Sequence, residues 1–451
     1  MTATTQTPDF RQIETEMLFN WMQAGESASI IGISGVGKSN LFNHIRDPQT
    51  QAKFLGKLSG STLIVRANFH YIPNFSDRSI YSLILEQLEL LESDLDRLGL
   101  TARDIEQISR YHELLLDAKD DILKVQRYFK LALRVLLAQS DRRLVFLFDQ
   151  FDDVYQEAEP RLFANLRGLR EAYKYRISYL VFTRDLLPNL IELDQAREEF
   201  YELLASNIMG LKPYVQSDAM SVLNRIAGRN KLELTDALRS RLYELASGHA
   251  GLLRAALLGA AQHQLLGQLH QANAAKLLLQ IPGVEMECEK LWRSLSVHEQ
   301  RTLMARAQGM DTAVDPAIVT QLQIKGLLAE ANAAIFSPIF AHFIATQDAH
   351  WEAPLFFDEL SRQIWVMGSP APRLTQLEYR LFQQLYQQEG EVVEKDTLIS
   401  AGWPSAQGGV SDEALIAAIA RLRKKIEPNP KEPRFLHNVH NQGYMLQTGD
   451  G

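Results

Sequence analysis

The run Gly32-Ile33-Ser34-Gly35-Val36-Gly37-Lys38-Ser39, followed by Asn40, has the spacing G-x-x-x-x-G-K-[ST]. Glycines at these intervals let successive backbone N–H groups curl around phosphate oxygens, and a helix starting at the loop's end adds partial positive charge. Lys38 then supplies a point charge for the β- and γ-phosphates, and the Ser39 hydroxyl a ligand for Mg²⁺. A metal held this way needs a carboxylate, and Asp149 closes the apolar run Arg143-Leu-Val-Phe-Leu-Phe. Three and four residues on, Asp152 or Asp153 is placed to polarise a water for attack on a γ-phosphate. Arg184, at the end of a further apolar run, is a candidate reporter of that phosphate. The chemistry implied is binding of a phosphate chain such as that of ATP or ADP, together with Mg²⁺.

Such a constellation needs strands that end together. Residues 28–33, 61–67, 143–148 and 177–182 are short runs rich in β-branched and aromatic side chains, each followed by turn or helical pattern. Nearly continuous apolar strands separated by helices predict a parallel sheet covered on both faces, with ligands at its carboxyl edge. Between the second and third runs the spacing of Ile80, Leu83, Ile84, Leu88 and Leu91 predicts a helical insertion over 77–139. The fold class expected is multidomain α/β plus α: a P-loop parallel-sheet NTPase domain over 1–210, a helical lid over 211–283, and two winged-helix domains. The first of these spans 284–348, with a strand pair at 327–329 and 334–337 turning around Asn332. The second spans 355–447, after a junction at 350–354 that includes Trp351.

Composition narrows the function classes. The 451 residues hold 47 Lys and Arg against 55 Asp and Glu, a net charge of −8, which rules out non-specific coating of nucleic acid. One cysteine, Cys288, leaves no internal disulfide and no clustered-cysteine zinc site. No apolar run is long enough to span a bilayer, and residues 1–9 are polar and lack the layout of a secretory signal, so a cytoplasmic protein without membrane contact is expected. No clustered set of His, Cys and carboxylates points to a second chemistry.

In chain order, Gly32–Ser39, Asp149-Gln-Phe-Asp-Asp153, Tyr179-Leu-Val-Phe-Thr-Arg184 and Ser247-Gly-His-Ala-Gly-Leu-Leu253 resemble the STAND class of signal-transducing P-loop NTPases, relatives of the AAA+ ATPases. The class has a Gly-x-Pro in the last segment; here Gly248 is kept and Ala250 stands at the proline. Ser337 stands where the class often has a nucleotide-sensing His. The resemblance implies that Gly248 contacts nucleotide, that ADP holds the modules closed, that ATP opens them for homo-oligomerisation, and that slow Mg²⁺-dependent hydrolysis resets the state.

The stretch from 364 to 447 is similar to the OmpR/PhoB-type winged-helix output domain. It has a capping box at Thr375 and Glu378, a helix over 410–426 and a closing hairpin at 435–446. The resemblance implies contact with double-stranded DNA through Arg421, Arg423, Lys424 and Lys425, and through His440 in the wing. Glu413, Ile416 and Ala418 depart from the family's basic and polar positions on the groove face. From Pro370 onward there are nine Lys and Arg against ten Asp and Glu. Two functions are therefore expected: an ATP/ADP-switched DNA-binding transcription regulator, or a STAND-type signalling or defence scaffold whose last domain binds a protein. In the second, Leu415, Ile416 and Ile419 either face that partner or belong to the core.

Overall fold

A computed structural model describes residues 9–119, 121–309, 315–331, 333–349, 353–404, 410–440 and 442–449; Asn332, Trp351 and residues 1–8 lie outside these. Five strands form one parallel sheet: β1 (Ala28–Ile31), β2 (Thr62–Asn68), β3 (Arg143–Asp149), β4 (Ile177–Thr183) and β5 (Ile208–Gly210), in the order β2-β3-β4-β1-β5. β1 and β4 are buried at every residue and β3 at all but its first, as strands covered on both faces must be. Register brings the strand ends into one row: Asn68 pairs with Asp149, and Ile31 with Thr183. β4 thus lies between β1, which feeds the phosphate-type loop, and β3, which carries Asp149. This is a P-loop NTPase sheet.

The insertion between β2 and β3 is helical, running from Asp77–Glu89 to Ile122–Leu136, with Tyr81 stacked on Phe129 at 4.2 Å. Between β5 and residue 346 the regular elements among the described residues are helices. Gln216–Asn230, Asp236–Ala246 and Ala250–Gln262 lie in the stretch expected to be a lid, and Pro282–Arg293, Val297–Ala307, Pro316–Ile324 and Pro338–Ile344 follow. The expected strand pair near 327–337 is one antiparallel bridge, Leu328 with Ile335. Residues 324–326 press on the end of β5. A Cβ on Gly210 would meet the Ile324 carbonyl at 1.8 Å, and one on Gly326 the Pro213 ring at 2.7 Å.

The chain divides into two compact units. The first comprises 1–188, 193–294 and 302–346; the second comprises 189–192, 295–301 and 347–451. In the second, β6 (Leu355–Asp358), β7 (Gln363–Val366) and β8 (Ser369–Pro370) make an antiparallel sheet. Three helices follow, Gln376–Gln387, Lys395–Gly402 and Asp412–Ile426, with β9 (Val392–Glu394) between the first two. β10 (Leu436–Val439) and β11 (Gly443–Leu446) form the wing, and β11 pairs with β9. Leu381, Phe382, Leu415, Ile419, Leu422, Leu436 and Leu446 fill the core. Thr375 and Glu378 form the capping box that starts the first of these helices.

Candidate functional site

The loop after β1 wraps the start of the Lys38–Arg46 helix, and its geometry depends on two glycines. Gly35 and Gly37 have φ of 71° and 100°, and a Cβ on Gly37 would lie 2.1 Å from the Tyr214 hydroxyl. The loop's outward carbonyls are each held. Lys38 Nζ donates to Gly32 O at 2.6 Å, His249 Nε2 to Ser34 O at 2.8 Å, the Gly251 N–H to Gly35 O at 3.0 Å, and Arg11 Nη2 to Val36 O at 2.8 Å. His249 Nδ1 accepts from the Leu252 N–H at 3.2 Å, so the ring is neutral with its proton on Nε2, and burial lowers its pKa. Asn40 donates to the Tyr214 hydroxyl at 2.8 Å, and Arg11 lies 4.5 Å over the Tyr214 ring.

A cleft of about 560 Å³ opens on this loop, within the size range of small-molecule sites. Residues 34–40 line one side; Gln150, Val222, Arg225, Ile226, Arg229, Ala250, Gly251 and Arg254 line the rest. Arg225 and Arg254 make no hydrogen bond or ion pair among the described residues. Burial, with Arg229 nearby, lowers the pKa of Arg225. Gly248, expected to contact nucleotide, immediately precedes His249 and the cleft-lining Ala250 and Gly251. Its φ is +78°, its carbonyl accepts the Tyr214 N–H at 2.9 Å, and a Cβ there would lie 2.0 Å from the Tyr214 carbonyl. It therefore serves the close approach of the turn before the Ala250–Gln262 helix to the segment after β5, and Ala250 and Gly251 face the cleft.

The acidic group sits behind the loop. Asp149 Oδ2 accepts from Arg66 at 2.5 Å, while its Oδ1 is buried without a partner. Arg66, on β2, lies 4.3 Å over the Phe42 ring. Asp152 is buried, its Oδ1 accepts the Arg184 N–H at 2.8 Å, and its Oδ2 is also without a partner. Asp153 is exposed. The Arg184 guanidinium stands 3.6 Å from Asp152 and 3.7 Å from Asp153. Burial lowers the Lys38 pKa, with Asp152 and Asp149 acting against it. Two orphaned buried carboxylate oxygens beside a lysine and a hydroxyl-bearing loop fit a divalent cation. Ser39 and Asp149 would hold Mg²⁺, with phosphate and water oxygens completing its shell. Among the described residues no group of three or more His, Cys, Asp or Glu offers an all-protein metal site.

Sequence reasoning missed Arg11, Arg66, Tyr214, His249, Arg225 and Arg254. Arg66 alone carried a local signal, a charge inside the otherwise apolar run Thr62-Leu-Ile-Val-Arg-Ala.

In the second unit, the 412–426 helix buries Leu415, Ala418, Ile419, Leu422 and Ile426, so Leu415 and Ile419 are core. Ile416 is 51% exposed. The four cations proposed for DNA divide. Arg421 and Lys424 are exposed and unpaired among the described residues, and His440 is exposed in the wing turn. Arg423 instead donates twice to the Leu436 carbonyl, at 3.0 and 2.8 Å. Lys425 pairs with the buried Glu378 at 2.7 Å and also donates to the Arg373 carbonyl. Both are committed to holding the domain together, which corrects their assignment as free phosphate contacts.

Residues 369–446 match the family model described as transcriptional regulatory protein, C terminal. The chain is 33% identical over 145 residues to Protein PetR of Rhodobacter capsulatus, covering 31% of this chain and 60% of that protein. It is 28% identical over 199 residues to the DNA-binding dual master transcriptional regulator RpaA of Synechocystis, covering 41% of this chain and 80% of that one. A Walker-type ATPase of Pyrococcus abyssi superposes with a TM-score of 0.46 at 14% identity, covering 76% of this chain and 98% of that one. The chain thus spans less than two thirds of the length of PetR. No helix among the described residues is long and apolar enough to cross a membrane. The C-terminal unit carries a winged-helix domain of the transcriptional-regulator type, and the N-terminal unit a P-loop NTPase fold.

Proposed function

We propose that this chain is a cytoplasmic, nucleotide-controlled DNA-binding regulator, in which ATP or ADP with Mg²⁺ in the 34–40 cleft sets self-association and hence how many winged helices meet a duplex. The observation that carries this is a phosphate-type loop facing unpaired Arg225 and Arg254, in the same chain as a regulator-type winged helix. Gly32, Ser34, Gly35, Val36, Gly37 and Asn40 would shape the phosphate cradle, and Lys38 would charge it. Ser39 and Asp149 would hold the metal. Asp152, which couples electrostatically to Lys38, is favoured over the exposed Asp153 as the acid near the γ-phosphate. Arg184 would report that phosphate once released from its two acidic neighbours. Hydrolysis is slow in this reading and resets the state.

The test is calorimetry with Mg·ATP and Mg·ADP on the wild type and Lys38→Ala, followed by solution mass with ADP and with a slowly hydrolysed ATP analogue, with and without duplex. Binding lost in Lys38→Ala and a mass that follows the nucleotide are expected. Wild-type binding or hydrolysis in Lys38→Ala removes the site assignment. The exposed Ile416 and the commitment of Arg423 and Lys425 favour a second reading, a scaffold whose last domain binds a protein. Salt-independent duplex binding, or none, selects that second reading.

A further inference from the structure

The solvent face of the 412–426 helix is antisymmetric in charge. Glu413, Ile416, Ala417, Ala420, Arg421 and Lys424 are all exposed and recur at helical spacing opposite the buried stripe. Ala417 is the midpoint: Glu413 lies one turn before it and Arg421 one turn after, about 6 Å each way along the axis. Neither makes an ion pair among the described residues; the Glu413 carboxylate is held at the helix start by its own backbone N–H and the Ser411 hydroxyl, which keep it charged. Asp412, by contrast, is paired with Lys395 at 2.7 Å. A second copy of the same helix laid antiparallel across the first, with the two-fold axis through Ala417, places each Glu413 against the other copy's Arg421. Ala417 and Ala420 permit an interaxial approach near the short end of the roughly 8–10 Å range, and Ile416 closes over them. The antiparallel arrangement also sets the positive end of each helix dipole beside the negative end of the other.

We infer that the 412–426 helix pairs antiparallel with its copy in a second chain, through Glu413–Arg421 contacts around Ala417. The face that pairs is the face the fold would present to a DNA groove, so pairing and duplex binding exclude one another. One helix face is far below the roughly 1,200 Å² of a standard interface, so the contact is weak and reversible, of use only where chains are concentrated or tethered. This goes beyond the nucleotide reading and does not depend on it, because pairing is read without nucleotide.

The experiment uses the full chain. Ala417→Cys puts a thiol on the two-fold axis, and the native Cys288 is buried. Mild oxidation with diamide is expected to give a disulfide-linked dimer, whereas Lys431→Cys, an exposed site elsewhere on the domain, gives none. Adding Glu413→Arg turns both symmetric contacts repulsive and should lower the dimer yield roughly tenfold. Adding Arg421→Glu as well should restore it, since the pair is then reversed. Circular dichroism melts identify the folded variants, and Glu413→Gln, which removes charge without repulsion, should be intermediate. Saturating duplex should suppress the cross-link in the Ala417→Cys chain. Absence of dimer, dimer indifferent to Glu413→Arg, or failure of the double reversal to restore it overturns the pairing. Salt-dependent duplex binding with no cross-link at any protein concentration assigns the face to DNA alone.

Discussion

Lys325 and Asp185 form an ion pair at 3.2 Å that is almost wholly excluded from solvent, with residue exposures of 1% and 3%. Asp185 follows Arg184 at the tip of β4, and Lys325 follows the 316–324 helix. The pair therefore ties the helices after the lid to the strand end nearest the proposed phosphate reporter. Lys325→Met keeps most of the aliphatic stem and leaves a buried carboxylate without its cation. That perturbation costs about 3–5 kcal/mol, because the desolvation of Asp185 is no longer offset. Asp185 still accepts the Leu186 N–H at 2.7 Å, which places the expectation at the lower end. Adding Asp185→Asn removes the stranded charge and keeps that bond, so the double variant should regain a large part of the loss. Hydrogen exchange reads this directly: amides of 316–346 should lose about a hundredfold in protection in Lys325→Met and less in the double variant. Exchange within about 1 kcal/mol of wild type in Lys325→Met, or a double variant no better than the single, refutes the reasoning.

Five further variants each have an expected outcome set by their surroundings. His249 serves the loop only when neutral, and burial holds its pKa below the ordinary 6.5, so an unfolded chain takes up the proton first as pH falls. Its stabilisation is full above 6.5 and is lost as pH drops from there toward the folded value. The melting temperature should fall between about pH 7.5 and pH 5.5 more in wild type than in His249→Gln, with His44, whose pKa is also lowered, common to both. Arg423→Ala should destabilise the C-terminal unit by about 1–2 kcal/mol through the Leu436 carbonyl, seen in urea denaturation. Arg421→Ala should leave that transition unmoved and reduce the salt slope of duplex binding by about one. Gly248→Ala should cost about 1–3 kcal/mol in chemical denaturation, because its φ is +78° and Tyr214 fills the Cβ position. Gly228→Ala, inside the 216–230 helix with open space around it, should instead stabilise by about 0.5–1 kcal/mol.

The loop at 32–39 was legible because phosphate geometry fixes the spacing of its residues, and β1 to β4 because strands covered on both faces are nearly continuous in apolar residues. The partners of the loop were not. Arg11, Tyr214 and His249 reach residues 34–40 from far along the chain, and only the topology brings them together. The pairing of Arg184 with Asp152 likewise needs β4 to lie beside β3, which local pattern does not state. At Gly248 the family position hid a second constraint, since the residue's φ of +78° and its backbone packing against Tyr214 already require glycine there. The cation cluster at 421–425 was divisible in principle. Leu415, Ile419, Leu422 and Ile426 mark the buried stripe, so helical period alone separates the outward Arg421 and Lys424 from Arg423 and Lys425.

That division bears on how the two units could cooperate. With Arg421 and Lys424 as the uncommitted cations of the 412–426 helix, one winged helix neutralises about two phosphates there. The logarithm of its DNA affinity should then fall with log salt at a slope of only about −2. The rest of the groove face, Ile416, Ala417 and Ala420, offers methyl contacts and no hydrogen-bond donors to base edges. On the proposed regulator reading, a single chain has little from which to build tight or selective binding, and affinity would come from several winged helices held together, where linkage raises the effective concentration. Phosphate contacts sum across copies, so the salt slope of an assembled form divided by that of the single chain counts the winged helices engaged. A ratio near one in a chain shown by mass to be assembled means that assembly does not serve DNA, and it removes the proposed link between the cleft at 34–40 and the duplex.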